Sequence, residues 1–294
     1  MHPNERNDAL RVGTAIRAAR KYRALSQTEV ARQLSISQVA LSKIENGQTS
    51  LSSSTWYHLT KILNISPDFT FFEGVVDQAG LETPPKLEET GFRVSSKFCR
   101  YAHSTIRSGQ PVFSFFEQEL GSKHLTNFIR DQLKTDPDIR RVYNLKISIR
   151  FHYEIIHHLI SCGALTLDKT PKLLQYVSTP QMHGALRGHY SNVMSPLNKV
   201  RKLVEHSSNY EENFNYEIIS ESRNEIEILS KPQEFMKDFL KKEKVLASFL
   251  DHYRTGFIQN FSSYGEAKNN TSPIHVHKIS DNKRTFESIF KVAV

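Results

Sequence analysis

Between Ala15 and Asn64 short segments of helical period follow one another so closely that a compact helical cluster is what they can build. A first helix, about 9–22, carries Leu10, Val12, Ile16 and Ala19, read as one apolar face. LSQTEVARQL follows at 25–34. Ser26 stands as an N-cap and Glu29 comes three residues later, which completes a capping box. Val30, Ala31 and Leu34 then point inward, and the small Ala31 lets another helix approach closely. Ser35-Ile36-Ser37 makes a tight turn, and Ser37 can cap the next helix. That helix, QVALSKIEN, buries Leu41 and Ile44 and stops at Gly47, where a left-handed residue is wanted. A further helix from Ser53 closes the cluster with Trp56, Leu59, Ile62 and Leu63.

Two short helices joined by a tight turn form the helix-turn-helix arrangement. The stretch LSQTEVARQLSISQVALSKIENGQTSLSSSTWYHLTKIL resembles the XRE family of phage-repressor-like regulators, over about a fifth of the chain. Ser35 departs from the family, which usually has glycine there; the position needs a left-handed backbone, which serine adopts less readily. The resemblance implies that the second helix of the motif lies in the major groove of double-stranded operator DNA. It implies that Gln38, Val39, Ser42 and Lys43 face the bases: Gln38 for adenine, Val39 for a thymine methyl, Lys43 for guanine O6 or N7. Gln27 would touch a phosphate while bracing Gln38. Asn46 and Ser50 would hold phosphates and fix register. Arg20 and Glu45 match a structural ion pair of the family and are not counted as site residues. Taken singly, each of these residues is an ordinary solvated side chain, and helix-turn-helix folds also serve in protein–protein contacts.

Charge points the same way. The chain carries +8 and has a pI near 9.3, which favours an acidic partner, nucleic acid before membrane. Residues 1–73 hold nine Lys and Arg against six acids, a net +3. At 294 residues the chain is long enough for two domains. The expected division is a DNA-binding domain at 1–73, a linker at 74–92 containing Gly74, Gly80, Pro84-Pro85 and Gly91, and a larger domain at 93–294. The isolated Cys99 and Cys162 fit a reducing compartment. Nothing reads as a membrane span, and MHPNERNDAL lacks the apolar core of a signal peptide, so a cytoplasmic protein with no membrane partner is expected.

The larger part mixes both periodicities. Residues 114–134, 171–187 and 233–261 read as helices. NYEIISES and NEIEILS read as a hairpin turning at Glu221–Asn224, and the C-terminal stretch reads as a second hairpin around Asp281-Asn282-Lys283. The expected fold class is α + α/β: an all-helical five-helix domain, then a mixed α/β domain for sensing and dimerisation. This second part resembles the 4-vinyl reductase and haem-nitric-oxide-binding sensing domains in its hairpin, its long helix with Tyr253 and Gly256, and its closing strands. Cysteines common in those relatives are missing, with His252 and His275 or His277 near their places, so no metal role carries over. The histidines, among them His157-His158, His183, His189 and the pair His275/His277, read as structural or surface groups, because zinc needs three or four convergent ligands. Aromatic residues such as Tyr153, Phe249, Tyr253 and Phe257 are core, or the lining of an apolar ligand pocket. No nucleophile elbow, P-loop, dinucleotide fingerprint or HExxH occurs. The expectation is a homodimeric regulator, not an enzyme, with no cofactor, no metal, and a small-molecule or peptide effector. The alternatives are a peptide sensor with a helical-repeat C-terminal domain, or a fusion to a metal or haem sensor or an enzyme.

Overall fold

The computed structural model describes residues 3–68, 70, 73–77, 84–184, 186, 190, 195–262, 275–282 and 284–293. The chain forms two compact units that alternate along the sequence. The first comprises residues 1–100, 105–107 and 126–147; the second comprises 101–104, 108–125 and 148–294. Gly80 and His189 fall outside the described residues.

The first unit begins with α1 (Pro3–Tyr22), α2 (Gln27–Gln33), α3 (Gln38–Glu45) and α4 (Ser53–Leu63). The expected domain at 1–73 has five helices; four occur among the described residues, and residues 69, 71 and 72 are not described. Each of α2, α3 and α4 is opened by a serine whose hydroxyl accepts from a backbone N–H three residues on: Ser26 from Glu29, Ser37 from Ala40 and Ser52 from Thr55, at 3.1 Å each. At Ser26 the Glu29 carboxylate returns the bond at 2.6 Å and completes the box. The core is the expected one, with Val12, Ile16, Ala19, Val30, Ala31, Leu41, Ile44, Leu59 and Leu63 buried. Leu10 is a correction. It is 49 % exposed, because residues two apart on a helix point to different sides and Val12 has the inward one.

All four helices stop by the same device. Ala24, Ser35, Gly47 and Asn64 all take positive φ, at 53°, 56°, 65° and 46°. After α2 the Ile36 N–H reaches the Ala31 carbonyl at 3.0 Å and the Ser35 N–H reaches Arg32 at 3.2 Å; after α3 Gln48 reaches Lys43 at 2.8 Å and Gly47 reaches Ile44 at 3.0 Å. These paired bonds satisfy carbonyls that a helix end leaves free. Ser35 thus holds the left-handed turn that the sequence assigns to it, at a steric cost of about 1–2 kcal/mol for a residue with a Cβ. Ser35→Gly is expected to stabilise the unit by roughly 0.5–1 kcal/mol, less than the relieved strain because glycine also loosens the unfolded chain. The urea midpoint followed by fluorescence of Trp56, which is in α4 and is the chain's one tryptophan, measures it.

The remaining elements are short strands β1 (Ser104–Thr105) and β2 (Lys146–Ile147), helices α5 (Gln110–Leu120), α6 (Ser122–Asn127), α7 (Ile149–Ser161), α8 (Thr170–Leu174), α9 (Pro180–His183) and α10 (Pro196–Glu205), strands β3 (Phe214–Glu221) and β4 (Glu225–Pro232), helices α11 (Glu234–Lys242) and α12 (Lys244–Ser262), and strands β5 (His275–Asn282) and β6 (Glu287–Ala293). In the second unit an antiparallel sheet of order β3-β4-β6-β5 presents Ile226, Ile228, Phe290 and Val292 as its buried positions. Helix α10 packs on β3, α12 packs on α10 and β5, and α8 packs on α12. Helices plus a sheet are the expected fold class, and the sheet removes the helical-repeat alternative.

Four expected elements differ in detail, one of them the helix expected over 233–261, which divides at Glu243 into α11 and α12. The helix expected over 114–134 breaks at Gly121, whose φ of 91° no helix accommodates, and ends in a π-type turn at 128–132. The helix expected over 171–187 is interrupted by a 3-10 turn at Gln175–Ser178. The second hairpin turns later than expected: β5 runs to Asn282, Lys283 is not described, and the Asn282 side chain accepts from the Arg284 and Thr285 N–H groups at 3.0 and 3.2 Å. No described helix is long and apolar enough to cross a membrane.

Candidate nucleic-acid interface

Helix α3 presents a polar row to solvent while Leu41 and Ile44 hold its other side in the core. Gln38, Lys43 and Asn46 are exposed, Ser42 is half-buried, and Val39 is 59 % exposed. Ser50 is exposed between α3 and α4, and Gln27, the first residue of α2, is half-buried. Lys43 has no side-chain partner among the described residues.

A chain of hydrogen bonds stiffens this surface from behind. Gln38 Nε2 donates to Gln27 Oε1 at 2.6 Å, and Gln27 Nε2 donates to Glu45 Oε2 at 2.8 Å. Glu45 is fully buried and takes a bidentate pair from Arg20, Nε to Oε1 at 2.6 Å and Nη2 to Oε2 at 2.9 Å. The spare Arg20 nitrogen donates to the Leu25 carbonyl at 2.9 Å. Such a fork fixes orientation as well as distance. The Arg20–Glu45 pair therefore ties α1 to α3, as the resemblance implies, and through Gln27 it sets the position of Gln38.

A second brace was not visible in the sequence. Arg17 makes a bidentate bond to Asp138 at 2.6 and 3.0 Å and donates to Asn46 Oδ1 at 3.2 Å; Lys21 bonds Asp136 and Asp138 at 2.5 and 2.9 Å. Asp136 and Asp138 lie in the 126–147 segment of the same unit and look in sequence like surface acids. Burial pushes the Asp138 carboxyl up, but the Arg17 bond and charge, with Lys21, outweigh it and hold the group below its ordinary value, and Arg17 is raised in turn. A carboxylate lowered in the folded state adds stability that is complete above its unfolded value of 3.8 and is lost as pH falls through the lower folded one. Trp56-detected stability is thus expected to fall on acidification in that window. Asp138→Asn should lower stability at neutral pH and flatten the acid dependence; an unchanged acid slope in Asp138→Asn would remove this brace from the account.

In the second unit an apolar cavity of about 120 Å³ opens between α7, α10, α12 and the sheet. Tyr153, Phe249, Tyr253 and Phe257 line it, while Phe115, Phe116 and Phe261 are core. His152, Glu211 and Arg254 also line it, and sequence reading did not single them out for it. Of the histidines it did single out, His183 is buried with both ring nitrogens engaged, by Tyr210 Oη at 2.8 Å and the Val177 carbonyl at 2.7 Å. His158 stacks on Phe116, and His275 and His277 are exposed on β5. Among the described residues no three histidine, cysteine or acidic side chains gather as metal ligands. Cys99 and Cys162 are both free thiols.

No curated protein and no solved structure matches the chain, so the resemblance of its C-terminal part to the 4-vinyl reductase and haem-nitric-oxide-binding domains stays without support. Residues 16–69 match the helix-turn-helix family HTH_3, which supports a DNA-binding transcription regulator of the XRE type.

Proposed function

We propose that this chain is a sequence-specific transcription regulator that binds a double-stranded operator as a homodimer and answers to a small-molecule effector. The observation that carries the DNA-binding reading is the solvent-facing row Gln38, Val39, Ser42 and Lys43 on a capped, doubly braced α3. A side chain such as Val39 gains little from water and much from a thymine methyl. In this reading residues 1–73 bind DNA, with Gln38, Val39, Ser42 and Lys43 on base edges and Gln27, Asn46 and Ser50 on phosphates. Of the expected 93–294 domain, the second unit (101–104, 108–125 and 148–294) senses and dimerises, while 93–100, 105–107 and 126–147 belong to the unit that binds DNA. One such small domain covers a half-site, so two copies spaced about one helical turn apart are needed for a full operator. The effector acts by binding the DNA-competent and incompetent states unequally. The cavity of the second unit supports the effector part of the reading.

The test uses fluorescence anisotropy on an operator duplex and on duplexes with single base changes. Lys43→Ala and Gln38→Ala should each lose about 1–3 kcal/mol on the preferred sequence and discriminate less at one position. Asn46→Ala should weaken binding to all duplexes alike. If the Lys43 and Gln38 variants keep wild-type affinity and preference, α3 is not the reading helix.

A further inference from the structure

We propose that the cavity of the second unit is a binding site for a neutral molecule about the size of one aromatic ring that carries a hydroxyl group, held by the His152 imidazole. The proposal rests on the effector reading above and gives the effector a chemical class.

The size comes first. A dry cavity of about 150 Å³ lined by Leu, Ile and Phe holds benzene. The present cavity, about 120 Å³, is walled mainly by aliphatic and aromatic side chains from α7, α10, α12 and β3. A ring fits, and the walls reward an apolar body.

Several polar side chains line the cavity, among them Glu211, Arg254 and His152. His152 lines the cavity, is 6 % exposed, and its Nε2 has no hydrogen-bond partner. A buried nitrogen left unpaired costs about 1–3 kcal/mol, and native structures seldom leave one so without a reason. Gly109 makes room for the ring: a Cβ there would stand 2.6 Å from both His152 Cδ2 and Nε2. Burial pulls the His152 pKa down to about 4, so the ring is neutral near pH 7 and offers one N–H and one lone pair. A hydroxyl can donate or accept and thus satisfies Nε2 in either tautomer.

The charged groups exclude an anion. Arg254 donates through its two terminal nitrogens, to Ser230 Oγ at 2.8 Å and Asp251 Oδ1 at 2.6 Å, and stacks on Phe214 at 4.3 Å, while its Nε has no hydrogen-bond partner. Asp251 thus answers its charge. Glu211 lines the same cavity with Tyr216 Oη at 2.6 Å and Asn213 Nδ2 at 3.0 Å on its carboxyl. A ligand carboxylate would stand in an apolar cavity beside the Glu211 carboxyl, with the one lining cation, Arg254, already paired with Asp251.

The experiment titrates the full chain with phenol, toluene and benzoate by calorimetry, and repeats the phenol titration on protein carrying 15N-histidine. Phenol is expected to bind about tenfold tighter than toluene or benzoate, and to move the ring-nitrogen resonances of one histidine that disappears in His152→Leu. His152→Leu should bring phenol down to the level of toluene and leave toluene within about twofold. If His152→Leu proves unfolded by its melting curve, Gly109→Ala decides. It displaces the imidazole, and phenol should lose its advantage over toluene. Equal binding of all three probes, tightest binding by benzoate, or no binding of phenol up to its solubility overturns the proposal. Operator affinity with saturating phenol separates the two readings. Phenol bound through His152 with no change in DNA affinity leaves the site and removes the effector role. No phenol binding beside intact operator selection removes the site alone.

Discussion

Glu45→Ala is expected to destabilise the N-terminal unit by about 3–5 kcal/mol, the loss typical when one member of a buried ion pair is removed. Arg20 would keep its charge at 8 % exposure with only the Leu25 carbonyl left to it, and Gln27 would lose the acceptor that fixes its amide. The damage should reach function by the same route, because Gln27 positions Gln38; operator preference should fall even at temperatures where the unit stays folded. The pair is worth less than its loss suggests. Replacing Arg20 and Glu45 together by Met and Leu removes both desolvation costs, and should recover most of the stability without restoring the Gln38 position. Urea titration followed by Trp56 measures the single and double variants. A double variant as unstable as Glu45→Ala would mean that the pair stabilises by itself.

Gly13→Ala is expected to cost about 3 kcal/mol or more, although alanine is the better helix former. A Cβ at Gly13 would stand 2.2 Å from the Ile44 carbonyl oxygen and 3.0 Å from that of Glu45. Both are backbone atoms at the end of α3, so no side chain can turn aside. Gly47 answers from the other helix: with φ of 65°, its added Cβ would come within 2.5 Å of the Leu10 Cα. The two glycines let α1 and α3 approach backbone to backbone, which holds the candidate reading helix in place. Trp56-detected urea curves should show the Gly13→Ala unit unfolding at markedly lower urea. A variant with unchanged midpoint would mean that α1 can move away freely, and the rigidity argued for α3 would go with it.

These two contacts also mark what the sequence could say. Local chemistry was legible: Ser26 and Ser37 announce helix starts, Gly47 announces a stop, and Ser35 announces a turn that demands a left-handed residue. The apolar period of α3 separates Leu41 and Ile44 from the exposed row, so the face on which Gln38 and Lys43 stand could be read directly. Alternation along β4 and β6 likewise gave the sheet. Long-range pairing of polar groups was not legible. Asp138 meets Arg17 across 121 residues, and nothing in an acid between Pro137 and Ile139-Arg140-Arg141 tells that it will be buried. Ala24 takes the same left-handed turn as Gly47 without a residue type to advertise it. His152 sits within an amphipathic helix that carries His157 and His158 as well, and only the packed cavity distinguishes it from them.

Sequence-specific DNA binding is tested by selecting bound duplexes from a random DNA library with the full-length protein, at two salt concentrations. An enriched inverted repeat is expected, with half-sites about one helical turn apart, and affinity should fall steeply as salt rises because phosphate contacts release counterions. Recovery of no preferred sequence, in the presence and absence of phenol, would contradict this reading and assign the exposed face of α3 to a protein partner instead.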